Sequence, residues 1–236
     1  MNAPHAPLVI AIDGPSGVGK SSVSRAVAQR LNLAYLDTGA MFRALTWWCL
    51  QQGVDLQDQP AVATAAKNLP LSIGTDPSRP RVQVGGVPVD KEIRTTVISA
   101  SVSMVAINLG VRDELRNRQR DLIAECVQSA GGVVVEGRDI TTVVAPDADV
   151  RILLSASRQA RLTRRTKELH GEAGEALVAA THDQIVRRDR DDSTVSEFMS
   201  PAPGVTLVDT SDLDFLQSVE AVLGVVGTSL NAAHPS

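Results

Sequence analysis

A chain of 236 residues, 43% apolar and 21% charged, is long enough to bury a core without staples, which excludes a small disulfide scaffold, a wholly disordered chain and a coiled coil. The net charge of −4 speaks against a coat for polymeric nucleic acid, yet the 23 cations are 19 Arg and 4 Lys, a bias that suits bidentate capture of a small phosphate or carboxylate. The longest uncharged stretch, Thr95 to Val111, holds too many Ser, Thr and Asn to span a membrane, and Met1 to Pro7 lacks the pattern of a secretory signal; Cys49 and Cys126 show no metal or redox spacing, so a cytoplasmic protein is expected.

In chain order, short Val, Ile and Leu runs occur at Leu8 to Asp13, Leu33 to Asp37, Val133 to Glu136, Val150 to Leu154 and Val205 to Asp209, alternating with amphipathic helical patterns. This predicts an α/β fold with a five-stranded parallel sheet and helices on both faces. The long interval between the second and third runs exceeds one crossover. Within it Leu69 to Thr75, Arg81 to Val84 and Val87 to Val89, punctuated by Asp76-Pro77, Arg79-Pro80 and Gly85-Gly86, predict a small antiparallel sheet. Helices are predicted over Thr95 to Asn108, Val111 to Gln128, Ser157 to Leu169, Leu177 to about Arg190, and Leu213 to Val226. The charged stretch Arg187 to Ser200 is too polar for core and reads as a lid or a plain surface loop.

Directly after the first strand stands Gly14-Pro15-Ser16-Gly17-Val18-Gly19-Lys20-Ser21, followed by Ser22 and a helix-forming run. Glycines at this spacing let backbone N–H groups turn toward phosphates. Lys20 adds a charge, the Ser21 hydroxyl can ligate Mg²⁺, and the helix N-terminus adds its positive end, so the segment is a nucleoside triphosphate site. The chain has no Asn-Lys-x-Asp and no Asp-x-x-Gly, which disfavours a GTP switch.

Val9 to Gly17, Leu36-Asp37-Thr38-Gly39-Ala40-Met41-Phe42-Arg43, Glu92-Ile93-Arg94, Val134 to Asp139, Pro146-Asp147-Ala148, and Arg188-Asp189 with Asp191 to Thr194 together resemble the bacterial cytidylate kinases, in order and at their spacing. The resemblance spans about Leu8 to Ser211. It implies a P-loop kinase core over residues 1–66 and 94–228 with a short lid at about 157–200, a small β part of the monophosphate-binding insertion at 67–93, and a disordered tail at 229–236. It further implies transfer from ATP, with Mg²⁺, to CMP or dCMP, with UMP a poorer acceptor, by a monomer.

Carried over position by position, the resemblance makes Lys20, Arg43, Arg138, Arg161 and Arg188 the catalytic cations, and adds Arg161 to the ATP contacts running from Gly14 to Ser22. It places Thr38, Phe42 and Gly137 in the acceptor pocket, with Arg43 and Arg138 as phosphate clamps. Asp139, Ser103 and Arg112 become pyrimidine readers, and Arg188 and Asp192 ribose contacts. Ser103 shares a helix face with Ser99 opposite the Ile98, Val102 and Val105 stripe, so it is expected to point away from the core. Arg158, Arg161, Arg164 and Arg165 recur at helical spacing as a γ-phosphate lid or a solvated face. A monophosphate is already dianionic at neutral pH and needs cations rather than a base, which suits an Arg-rich chain.

Three positions depart from the family's pattern: Phe42 stands for Tyr, Thr141 for a frequent Gly, which stiffens the turn, and Val195 for a lid Arg that Arg190 is expected to replace in part. The alternatives are a kinase of a hydroxylated metabolite such as shikimate, with Asp37 or Glu136 as base, a kinase for AMP or GMP, and a nucleotide-binding module without turnover.

Overall fold

The computed structural model describes residues 7–170 and 198–233. Five parallel strands form the main sheet in the order β2, β6, β1, β7, β8. They are β1 (Leu8–Asp13), β2 (Ala34–Asp37), β6 (Gly132–Gly137), β7 (Val150–Ser155) and β8 (Thr206–Asp209), each within a residue or two of its expected run. The near-continuous apolar strands follow from burial on both faces, because successive side chains point to opposite sides. Ala11, Leu36, Val133 and Val135 face one apolar core, while Ile10, Ile12, Tyr35 and Val134 face another.

The second core is closed by α1 (Lys20–Leu31), through Val23 and Val27, and by α7 (Phe215–Ala233), through Val219, Val222 and Val226. The first is closed by four helices between β2 and β6: α2 (Thr38–Gln51), α3 (Gln59–Lys67), α4 (Thr96–Ala106) and α5 (Leu109–Ala130). Caps set their starts. Asp37 accepts from the Ala40 N–H at 2.8 Å, Asp58 from Ala61 at 3.0 Å, and Asn108 from Val111 at 3.2 Å, each satisfying a donor the helix itself leaves open. The antiparallel sheet predicted inside this interval is present as β3 (Leu71–Gly74), β4 (Arg81–Val84) and β5 (Val87–Pro88), with Val82 and Val84 seated in the first core.

Two expectations are corrected. Helix α7 runs through residues 229–233, expected as disordered tail: Gly227 does not end it, no proline stands between that glycine and Pro235, and the buried Val219, Val222 and Val226 stripe carries the helix past it. Phe198 is buried although it lies in the stretch judged too polar for core. The helix expected over Leu177 to Arg190 lies outside the described residues. After β7 comes α6 (Arg158–His170).

Candidate active site

Because the strands are parallel, β1, β2 and β6 all deliver their carboxyl ends to one edge, and Asp13 stands in register with Gly137 as Asp37 does with Glu136. Open α/β sheets bind ligands at such an edge. The P-loop leaves it between β1 and α1. Gly14 must be glycine, since a Cβ there would lie 2.4 Å from the Leu154 carbonyl oxygen; Gly17, at φ 76°, would meet the Arg161 carbonyl at 2.8 Å. Val18 anchors the loop in the core, and Lys20 Nζ donates to the Gly14 and Pro15 carbonyls at 2.6 and 2.9 Å. Pro15 is buried, Ser16, Gly19 and Ser21 are half-buried, and Ser22 is exposed.

Beside the loop, Glu136 accepts hydrogen bonds from the Tyr35 hydroxyl and from Ser21. Burial, and then the charge of Asp37, push the Glu136 carboxyl above its usual range against the pull of Lys20. Burial likewise raises the Tyr35 phenol well above its ordinary value, with Glu136 adding to the effect, so Tyr35 stays a donor. Burial acts on Asp37 too, but Arg43, at 2.8 Å, and Arg94, at 3.7 Å, outweigh it and hold that carboxyl low. The buried Nε of Arg43 has no hydrogen-bond partner among the described residues.

Thr38 donates from Oγ1 to the Glu136 carbonyl at 2.8 Å, tying the start of α2 to the end of β6, and Phe42 packs half-buried one turn further on. From the far side of the inserted helices, Arg112 reaches Asp139 at 2.5 Å and the Ala106 carbonyl at 3.2 Å. Burial raises Asp139 above the usual carboxylate range, opposed by Arg112 and then Arg116. Ser103 is buried rather than turned out to solvent, because α4 is covered on both its apolar and its serine face. Arg138 follows Gly137 and lies over the Phe198 ring, 4.7 Å from its centroid.

Arg161 is buried and donates to the Ser16 carbonyl at 3.2 Å, which sets α6 against the P-loop. Arg164, grouped by spacing with a lid, is instead a staple: it donates to the carbonyls of Val18, Thr210 and Leu213 and to the Thr210 hydroxyl. A guanidinium fork fits a turn of carbonyls as well as it fits a phosphate. Arg158 is exposed. Arg188, Arg190, Asp192 and Val195 lie outside the described residues.

Sequence reasoning missed Tyr35, Arg94 as a partner of Asp37, Phe198, and the Asp13 anchor. Asp13 accepts from the Ile140 and Thr141 N–H groups at 3.0 and 2.8 Å and from the Thr141 hydroxyl at 2.6 Å. The signals were present: Tyr35 is the only Tyr of the chain, inside an apolar strand, and Phe198 is one of three Phe, inside a charged stretch.

The family model described as cytidylate kinase matches residues 10–228. A cytidylate kinase of Cutibacterium acnes is 50% identical over 95% of this chain and 98% of its own. Those of Nocardia farcinica and Streptomyces avermitilis are 47% and 44% identical, over 95% and 93% of this chain and 96% and 92% of theirs.

Proposed function

The chain belongs to the cytidylate kinase family, and from that premise we propose that it transfers the γ-phosphoryl group of ATP to CMP or dCMP, giving ADP and the nucleoside diphosphate. The observation that carries the acceptor assignment is the Arg112–Asp139 pair beside Arg138, on the same sheet edge as the P-loop. An aspartate that accepts and an arginine that donates are complementary to the amino and carbonyl edge of cytosine.

The P-loop amides and Lys20 bind the β- and γ-phosphates, and Arg161 braces the loop from α6. Arg43 and Arg138 hold the acceptor phosphate. An acceptor oxygen attacks the γ-phosphorus, and the bond to the β,γ-bridging oxygen breaks as ADP leaves. No proton has to be removed, since the attacking phosphate is a dianion near neutral pH. Of the two carboxylates named as a base for a neutral hydroxyl, Asp37 is held low by two arginines, which makes it a poor one. Arg188 and Asp192 are assigned to the ribose.

The Ser21 hydroxyl and the Glu136 carboxylate would hold Mg²⁺. Their donor set fits an ion shared with phosphates rather than caged by protein, for no group of three or more His, Cys, Asp or Glu converges among the described residues. The bound ion supplies neutralisation of charge on the transferring group.

The test is ADP formation with Mg²⁺-ATP against CMP, dCMP, UMP, AMP, GMP and shikimate. Fast turnover confined mainly to CMP and dCMP is expected, and turnover of shikimate or of no nucleotide overturns the reading. Arg43→Ala and Arg138→Ala should each lower kcat/KM for CMP by about 10- to 150-fold, the worth of one charge-assisted hydrogen bond of roughly 1.5–3 kcal/mol.

A further inference from the structure

Phe198 is 1% exposed, while its neighbour Met199 is 57% exposed. What its ring covers is the Arg138 guanidinium, 4.7 Å from the ring centroid. An arginine side chain is long and rotamer-rich, and a clamp on a phosphate works only if its plane is fixed before the substrate arrives. An aromatic face fixes that plane without consuming a donor: it attracts the cation through its quadrupole and leaves the in-plane N–H groups directed outward.

We propose that Phe198 is a positioning residue that holds Arg138 flat and pre-oriented for the acceptor phosphate. The proposal rests on the reading of Arg138 as that clamp. It also gives the segment just before β8 a part in the acceptor site.

Three substitutions separate stacking from bulk. Phe198→Leu keeps an apolar side chain but removes the π face, Phe198→Tyr keeps the face, and Phe198→Leu combined with Arg138→Ala asks whether the effect runs through Arg138. In Phe198→Leu, kcat/KM for CMP should fall about 3- to 30-fold with KM for ATP unchanged, and Phe198→Tyr should restore it. In the Arg138→Ala background Phe198→Leu should have no further effect. The ring-current shift of the Arg138 Nε–H in NMR spectra should vanish in Phe198→Leu and persist in Phe198→Tyr, a readout independent of turnover. An active wild type beside an indifferent Phe198→Leu, an equal loss without Arg138, or a parallel rise in KM for ATP overturns the positioning role alone. A wild type inert toward CMP overturns the kinase reading, and this role with it.

Discussion

Among the carboxylates of the site, Glu136 and Asp37 stand on neighbouring strands and are both raised by burial, yet their net shifts are opposite, because Asp37 has two arginines against it and Glu136 has one lysine and an acidic neighbour. A carboxyl raised in the folded state adds stability below its unfolded value near 4.3, and that contribution is lost as pH rises through the folded value. At neutral pH the charge on Glu136 therefore costs stability. Glu136→Gln should unfold at a higher temperature than the wild type at pH 8, with the advantage shrinking as pH falls toward 4, while phosphoryl transfer slows; a pH series of melting curves beside the kinetics checks both. The motif residues were legible because they cluster in short segments with one chemistry each. The contact that Tyr35 makes was not, since its partner Glu136 lies 101 residues away in sequence and only strand pairing brings them together. Nor could spacing divide the arginines between phosphates and carbonyls. Arg118 and Arg120, like Arg164, spend their donors on backbone oxygens at the ends of other elements.

At the level of elements, the turn after β6 is the least ordinary piece. Ile140–Val144 forms a π-helical turn, and its first two N–H groups, with the Thr141 hydroxyl, close on Asp13 at the end of β1. This gives physical content to the expected stiffening by Thr141, and it explains why Asp13, raised by burial, is occupied as an anchor. Thr141→Val keeps the shape but removes one bond to a buried carboxylate, and should cost about 1–3 kcal/mol, read as a lower urea midpoint with an unchanged slope. The strands and the ends of α4, α5 and α6 were legible from apolar runs and helical spacing, whereas α2 and α3 were given no bounds. The π turn was not legible, because its geometry answers to a carboxylate on another strand. The end of α7 was missed because Gly227 and the small and polar residues after it read as a tail, yet the helix runs through them.

Across the whole molecule, two kinds of long-range tie join the helices over the second core, and their worth differs. Arg30 and Glu220 pair at 3.0 Å between α1 and α7, but both side chains are more than half exposed, so Glu220→Ala should change stability by less than about 1 kcal/mol. Arg164 binds four acceptors around the end of β8 and the start of α1, and Arg164→Ala should cost at least about 1.5–3 kcal/mol. Equilibrium denaturation of the two variants side by side checks the contrast. No helix among the described residues is long and apolar enough to cross a membrane.

Strand order carries one more consequence. The stretch from Thr38 to Ala130 departs from β2 and returns into β6, which lie next to each other, and it fills only the first core, whereas the P-loop half rests on the second. Its two ends are thus already clamped side by side. Such an arrangement behaves as a graftable cassette: exchanging that stretch for a homologous one, together with the few residues at the tip of β6, would retarget the acceptor and keep the ATP machinery, provided the Pro77 carbonyl that accepts from Arg25 and Gln29 of α1 is retained.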